Sequence, residues 1–99
     1  MAIKKIMAAC GSGIGSSLII RMNVQKVLQA IGRDDIEVFH STTSDAQKGA
    51  ADMFIVGKDL ENFVEKLDNV ITLNNIVSKV EIEEKIKAKF DELGESYKK

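Results

Sequence analysis

One residue of this sequence is placed to act as a nucleophile: Cys10, the only cysteine. It opens the stretch Cys10-Gly11-Ser12-Gly13-Ile14-Gly15-Ser16-Ser17, which follows the apolar run Ile6 to Ala9 and leads into a long amphipathic one, Leu18 to Ile31. Glycines at alternate positions permit positive φ and let backbone N–H groups approach an oxyanion with no Cβ in the way. Ser12, Ser16 and Ser17 add hydroxyl donors. A helix start here brings about half a positive charge, which favours a thiolate first and a phosphoryl group afterwards. The chemistry expected is group transfer at Cys10 inside a phosphate-binding loop.

The elements that must position this loop follow from the pattern of apolar residues. Ile3 to Ala9 reads as a central strand, because Ile6 to Ala9 suits burial on both faces. Ile20, Val24, Val27, Leu28 and Ile31 recur at helical spacing, so a helix is expected from about Ser16 to Ile31, stopped by Gly32. Ile36 to His40 alternates as an edge strand does. Ser44 with Gln47 forms a capping-box pattern for a short helix ending near Gly49. Met53 to Val56 is a buried third strand, followed by a helix from about Asp59 to Lys66 packing through Leu60, Phe63, Val64 and Leu67. Val70 to Leu73 is a fourth strand. Ser78 with Glu81 caps a final helix whose Ile82, Ile86, Phe90 and Leu93 form one stripe, closed by Gly94; the tail Glu95 to Lys99 is expected to fray.

Strands alternating with helices over short loops imply a parallel sheet with right-handed crossovers. The fold class expected is α/β: a three-layer sandwich with a four-stranded parallel sheet of order 2-1-3-4, helices on both faces and the phosphate loop after strand 1. That order puts Cys10 at the switch point between strands 1 and 3, where ligands of such sheets bind.

Composition narrows the function classes. Ninety-nine residues make one domain, 1–99, able to bury roughly 60–70% of its unfolded surface. A lone thiol excludes an internal disulfide and fits a reducing, cytoplasmic setting. The N-terminus lacks a signal peptide's apolar continuation, and no run approaches a membrane span, so no direct membrane insertion is expected. The net charge of −1 argues against nucleic-acid binding. Up to Arg33 there are five basic residues and no acid, which eases placing a phosphate dianion near the loop, although Lys4 and Lys5 belong at the far end of the strand.

Each known phosphate cradle tests the loop. A P-loop needs Lys then Ser or Thr after its last glycine, and here Ser16-Ser17 follow Gly15. The dinucleotide fingerprint needs a third glycine where Ser16 stands and an acid where strand 2 ends in Phe39-His40. A small cysteine phosphatase would place an arginine six positions after its cysteine, where Ser16 stands, and no aspartate near the loop is an evident general acid.

Ile6 to Leu18 resembles instead the C-G-x-G-x-G-S-S signature of the IIB components of the bacterial phosphoenolpyruvate-dependent sugar phosphotransferase system, ascorbate type, within the wider ascorbate/galactitol/lactose IIB-like group. Arg21-Met22-Asn23-Val24 continues the similarity into the helix. The resemblance implies that Cys10 accepts a phosphoryl group from a phosphohistidine on a IIA protein and passes it to a sugar held by a membrane IIC permease. It implies Gly11, Ser12, Gly13, Ile14, Gly15, Ser16 and Ser17 as the phosphate loop, with no metal and no cofactor. A low-molecular-weight phosphatase or arsenate-reductase-like enzyme, and a phosphorylation-sensing regulatory domain, are the alternatives. Arg21 is expected to face solvent or a partner, and His40 to be a half-exposed strand end with an acid, base or docking role as its functional alternative. Met7, Met22 and Met53 are expected in the core.

Overall fold

The computed structural model describes residues 3–10, 15–64, 67 and 69–97. The first strand, β1 (Lys5–Cys10), is buried at every position after Lys5, and it lies inside the sheet because only an interior strand finds cover on both faces. The sheet is parallel, of order β2-β1-β3-β4, with β2 (Glu37–Thr42), β3 (Met53–Gly57) and β4 (Val70–Leu73). Two α-helices, α1 (Ser16–Ala30) and α2 (Lys79–Leu93), complete the α/β fold expected from the sequence.

Alternation along β1 divides the core in two. Ile6 and Ala8 face α1 and α2, where Ile20, Val24, Leu28, Ile31, Ile82, Ile86 and Phe90 are packed. Met7 and Ala9 face the other way, against Phe54, Val56, Ala46 and Val64, with Leu60 and Leu67 partly buried over them. Met7 and Met53 are core residues as expected, but Met22 is 47% exposed on the outer side of α1.

The layer on that second face differs from the expected α-helix over 59–66. It holds a 3₁₀ helix, Lys58–Phe63, entered from Gly57 with no side-chain cap. Six residues without a cap do not repay the cost of nucleating an α-helix, and the tighter form serves short pieces. Residues 65, 66 and 68 and the side chain of Phe63 lie outside the described residues. The expected helix after β2 is likewise one 3₁₀ turn, Thr43–Asp45. Its polar residues spend their side chains locally: Ser41 Oγ and Thr42 Oγ1 both donate to Asp45 Oδ2, and Gln47 Nε2 donates back to the Ser44 carbonyl at 2.9 Å. Such bonds offer the backbone an alternative to a longer helix.

The helix ends follow their local signals. Gly32 takes φ 75°, and the Arg33 N–H reaches back to the Leu28 carbonyl at 2.7 Å, which ends α1. The tail does not fray at 95–97. Glu95 accepts from the Ile3 N–H at 2.8 Å and pairs with Arg33 at 3.4 Å, while the Tyr97 ring lies 6.1 Å from that of Phe90. Lys98 and Lys99 lie outside the described residues.

At the start of α2 the Ser78 side chain accepts from the Glu81 N–H at 3.2 Å, the first half of the capping box. Glu81 does not return the bond to Ser78. It accepts from the N–H groups of Asn74 and Asn75 at 2.7 and 2.8 Å and pairs with Lys85 at 2.8 Å. Lys85 and these N–H groups hold the carboxyl down to about 2 from its ordinary 4.5. A depressed carboxyl stabilises the fold fully above its unfolded pKa and loses that effect as pH falls through the folded one. Glu81→Gln should therefore cost about 1–2 kcal/mol near pH 6, after allowance for solvent screening. The gap from wild type should close as pH falls from 4.5 to 2. Urea melts across that range measure it, and a gap independent of pH would contradict the assignment.

Candidate functional site

In a parallel sheet all strands end at the same edge, so Cys10, Thr42, Gly57 and Leu73 stand along it. Cys10 is the last residue of β1, 3% exposed and opposite Thr42 in the register with β2. By alternation from Ile6 and Ala8 its side chain is on the α1 side of the sheet. The helix that follows starts above it.

The start of α1 is built differently from that of α2. Its N-cap is Gly15, at φ 80° and ψ −110°, with no side-chain cap and no acid in the first turn. An L side chain rarely adopts that backbone conformation, although a Cβ at Gly15 would meet nothing within 4 Å. The glycine is thus required by backbone conformation rather than by crowding. With no side-chain cap at Gly15 and no acid in the first turn, the start of α1, at the edge where β1 ends, favours an anion.

Of the loop expected to bind phosphate, Gly15, the backbone of Ser16, and Ser17 are described, whereas Gly11, Ser12, Gly13 and Ile14 and the Ser16 side chain lie outside the described residues. Ser17 is completely buried in the first turn of α1, and its Oγ has no hydrogen-bond partner among the described residues. The same holds for the buried Nε of Arg21 and Nδ1 of His40. Arg21, expected to face solvent or a partner, is half-exposed, and its Nε is covered. The signal available in the sequence was its spacing, four residues after Ser17 on the helix stripe that continues to Val24 and Leu28. His40 is half-buried, as a strand end should be.

The Ser41 and Thr42 hydroxyls are turned to Asp45, whose carboxyl they hold below its usual range. They cap the loop. Farther along the same edge, a cavity of about 430 Å³ opens between the ends of β3 and β4, lined by residues that include Lys58, Asp59, Asn74 and Asn75. A cavity of about 460 Å³ lies beside Asp52 and Asn69, at the opposite edge and away from Cys10.

Residues 5–88, from β1 through the first turns of α2, match the family model described as PTS system, Lactose/Cellobiose specific IIB subunit. The chain belongs to the PTS IIB family. None of the curated proteins compared with it matches. As a PTS IIB domain it is a phosphotransferase of a sugar phosphotransferase system, a role that brings IIA and IIC partners in general. Among the described residues of this IIB domain, no helix is long and apolar enough to cross a membrane.

Proposed function

We propose that this IIB chain relays a phosphoryl group through Cys10, taking it from a phosphohistidine of its IIA partner and giving it to a sugar bound by the IIC permease. The observation that carries the reading is the placement of Cys10, at the end of the interior strand and beneath the uncapped start of α1, in a chain of this family. In the first step the thiolate Sγ attacks phosphorus. The S–P bond forms, the P–N bond breaks with its electron pair left on the imidazole nitrogen, and that nitrogen takes a proton. In the second step a sugar hydroxyl oxygen attacks phosphorus, the S–P bond breaks to restore the thiolate, and the hydroxyl proton is released.

Gly11 to Ser17 form the phosphate loop in this reading, and 1–99 act as one cytoplasmic domain that visits the inner face of the membrane only through the permease. The similarity of the Ile6 to Leu18 stretch to ascorbate-type subunits supports an ascorbate-like sugar. Hydrolysis would end the relay, so the site should hold phosphocysteine without activating water. Ser16 standing where a phosphatase needs arginine, and Asp45 already engaged by two hydroxyls, support that. Charged with phosphoenolpyruvate, the general phosphotransferase proteins and a IIA partner, the protein should gain one phosphoryl group that persists until permease and sugar are added. It should not turn over p-nitrophenyl phosphate appreciably. Rapid loss of the label without permease, or strong turnover of that ester, would replace the relay with a phosphatase.

A further inference from the structure

Ser17 Oγ, Arg21 Nε and His40 Nδ1 are buried and without hydrogen-bond partners among the described residues, and helix and strand geometry puts all three on the side where α1 faces β2. Asn23 marks the flank of α1 that faces the β4–α2 connection, since its Nδ2 donates to the Ile76 carbonyl at 3.1 Å. Lys26, Val27 and Ala30 share a groove with Lys79, Val80 and Glu83 of α2 on that flank. At about 3.6 residues per turn, Arg21 falls roughly half a turn around the axis from that group. That is the flank over β2, the edge strand beyond β1. On β2, His40 alternates with Val38, which belongs to the core on the α1 side, so His40 faces α1 too.

Depth agrees as well. Arg21 lies about 6 Å along α1 from Ser17, and His40 about 6.6 Å along β2 from Thr42, the residue opposite Cys10. Side chains of a helix lean toward its N-terminus, which carries the Arg21 guanidinium back toward Ser17 and the end of β1.

The three groups share a chemical requirement. Arg21 Nε–H is a donor only, the Ser17 hydroxyl donates, and His40 Nδ1 donates in one tautomer. A buried guanidinium nitrogen without an acceptor is costly, and the cost falls when an anion arrives. We propose that Arg21 and His40, with Ser17, form a side-chain pocket between α1 and β2 that takes oxygens of a phosphate dianion, either free phosphate or the phosphoryl group on Cys10. This deepens the relay reading and rests on it for the second source.

Inorganic phosphate titrated into the unphosphorylated protein, followed by the ¹H–¹⁵N signals of Arg21 Nε–H and the His40 ring, tests the pocket directly. Both signals should shift saturably. Arg21→Gln should weaken binding tenfold or more, the range of a hydrogen bond to a charged group, and Arg21→Lys should restore part of it. His40→Asn, which keeps an amide near the Nδ1 position, should bind better than His40→Phe. No saturable shift in the wild type, or phosphate affinity unchanged in Arg21→Gln, overturns the pocket. In parallel, the ³¹P signal of the IIA-charged protein should differ between wild type and Arg21→Gln. Sensitivity to Arg21 in the phosphate titration with no label ever on Cys10 sinks the relay and leaves the pocket. Label on Cys10 with a ³¹P signal and phosphate affinity indifferent to Arg21 sinks the pocket and leaves the relay.

Discussion

Cys10→Ser will take no phosphoryl group from a charged IIA partner under conditions where the wild-type chain takes one. The substitution replaces Sγ by a hydroxyl of nearly the same shape, at a residue only 3% exposed at the end of β1, so the register with β2 and the start of α1 stay in place. What changes is the population of nucleophile. A thiol with a reference pKa of about 8.5 supplies a few per cent of thiolate at pH 7 even without help, and a helix N-terminus raises that share. A serine hydroxyl holds its proton far more tightly than a thiol, and Asp45, engaged by Ser41 and Thr42, is not free to take it. The measurement is the mass of the Cys10 peptide after incubation with phosphoenolpyruvate, the general proteins and IIA. Circular dichroism of both proteins checks that the fold is shared. A phosphorylated serine variant, or label on His40 alone in the wild type, would move the acceptor elsewhere.

What the sequence made legible was local. β4 lies at the residues expected of it, α1 ends within one residue of the expected stop, and Gly32 and Ser78 act as the stop and cap they resemble. Each depends on neighbours within a few positions. What was not legible depends on distant partners. The tail is held because Glu95 meets Ile3 and Arg33, which lie 92 and 62 positions away in the chain. The segment Lys58–Phe63 has the apolar spacing of an α-helix but forms a 3₁₀ helix with no side-chain cap, an exception in which the missing signal is local. Arg21 shows the same limit at the site. Its spacing from Ser17 was visible, but which flank of α1 overhangs β2 is a property of the crossover and of where α2 packs. Cys10 was legible because residue type, glycine spacing and strand end coincide in one short stretch.

Phe90→Ala should produce the largest loss of stability of any single change considered, with little effect on phosphoryl acceptance by the molecules that remain folded. Phe90 is wholly buried in the α1–α2 core, below Ile82 and Ile86 on the same stripe of α2. Arg33 lies 5.7 Å over its ring and Tyr97 packs beside it, so the side chain joins α2, the end of α1 and the pinned tail. Removing a buried phenylalanine ring costs about 3–5 kcal/mol, a large part of the roughly 5–15 kcal/mol that small domains possess. At about 4–8 °C per kcal/mol for a domain of this size, the melting temperature should fall by well over 10 °C. Phe90→Leu keeps most of the apolar volume and should lose a smaller part. The site should be spared because α2 runs away from the carboxyl edge: Phe90 is twelve residues past Ser78, about 18 Å along the helix. Thermal melts give the first quantity, and the initial rate of labelling per folded molecule, measured well below the melting point, gives the second. A labelling rate that drops in the folded fraction of both variants would show that packing at the amino edge is coupled to Cys10, and the division between scaffold and site drawn from the fold would have to be abandoned.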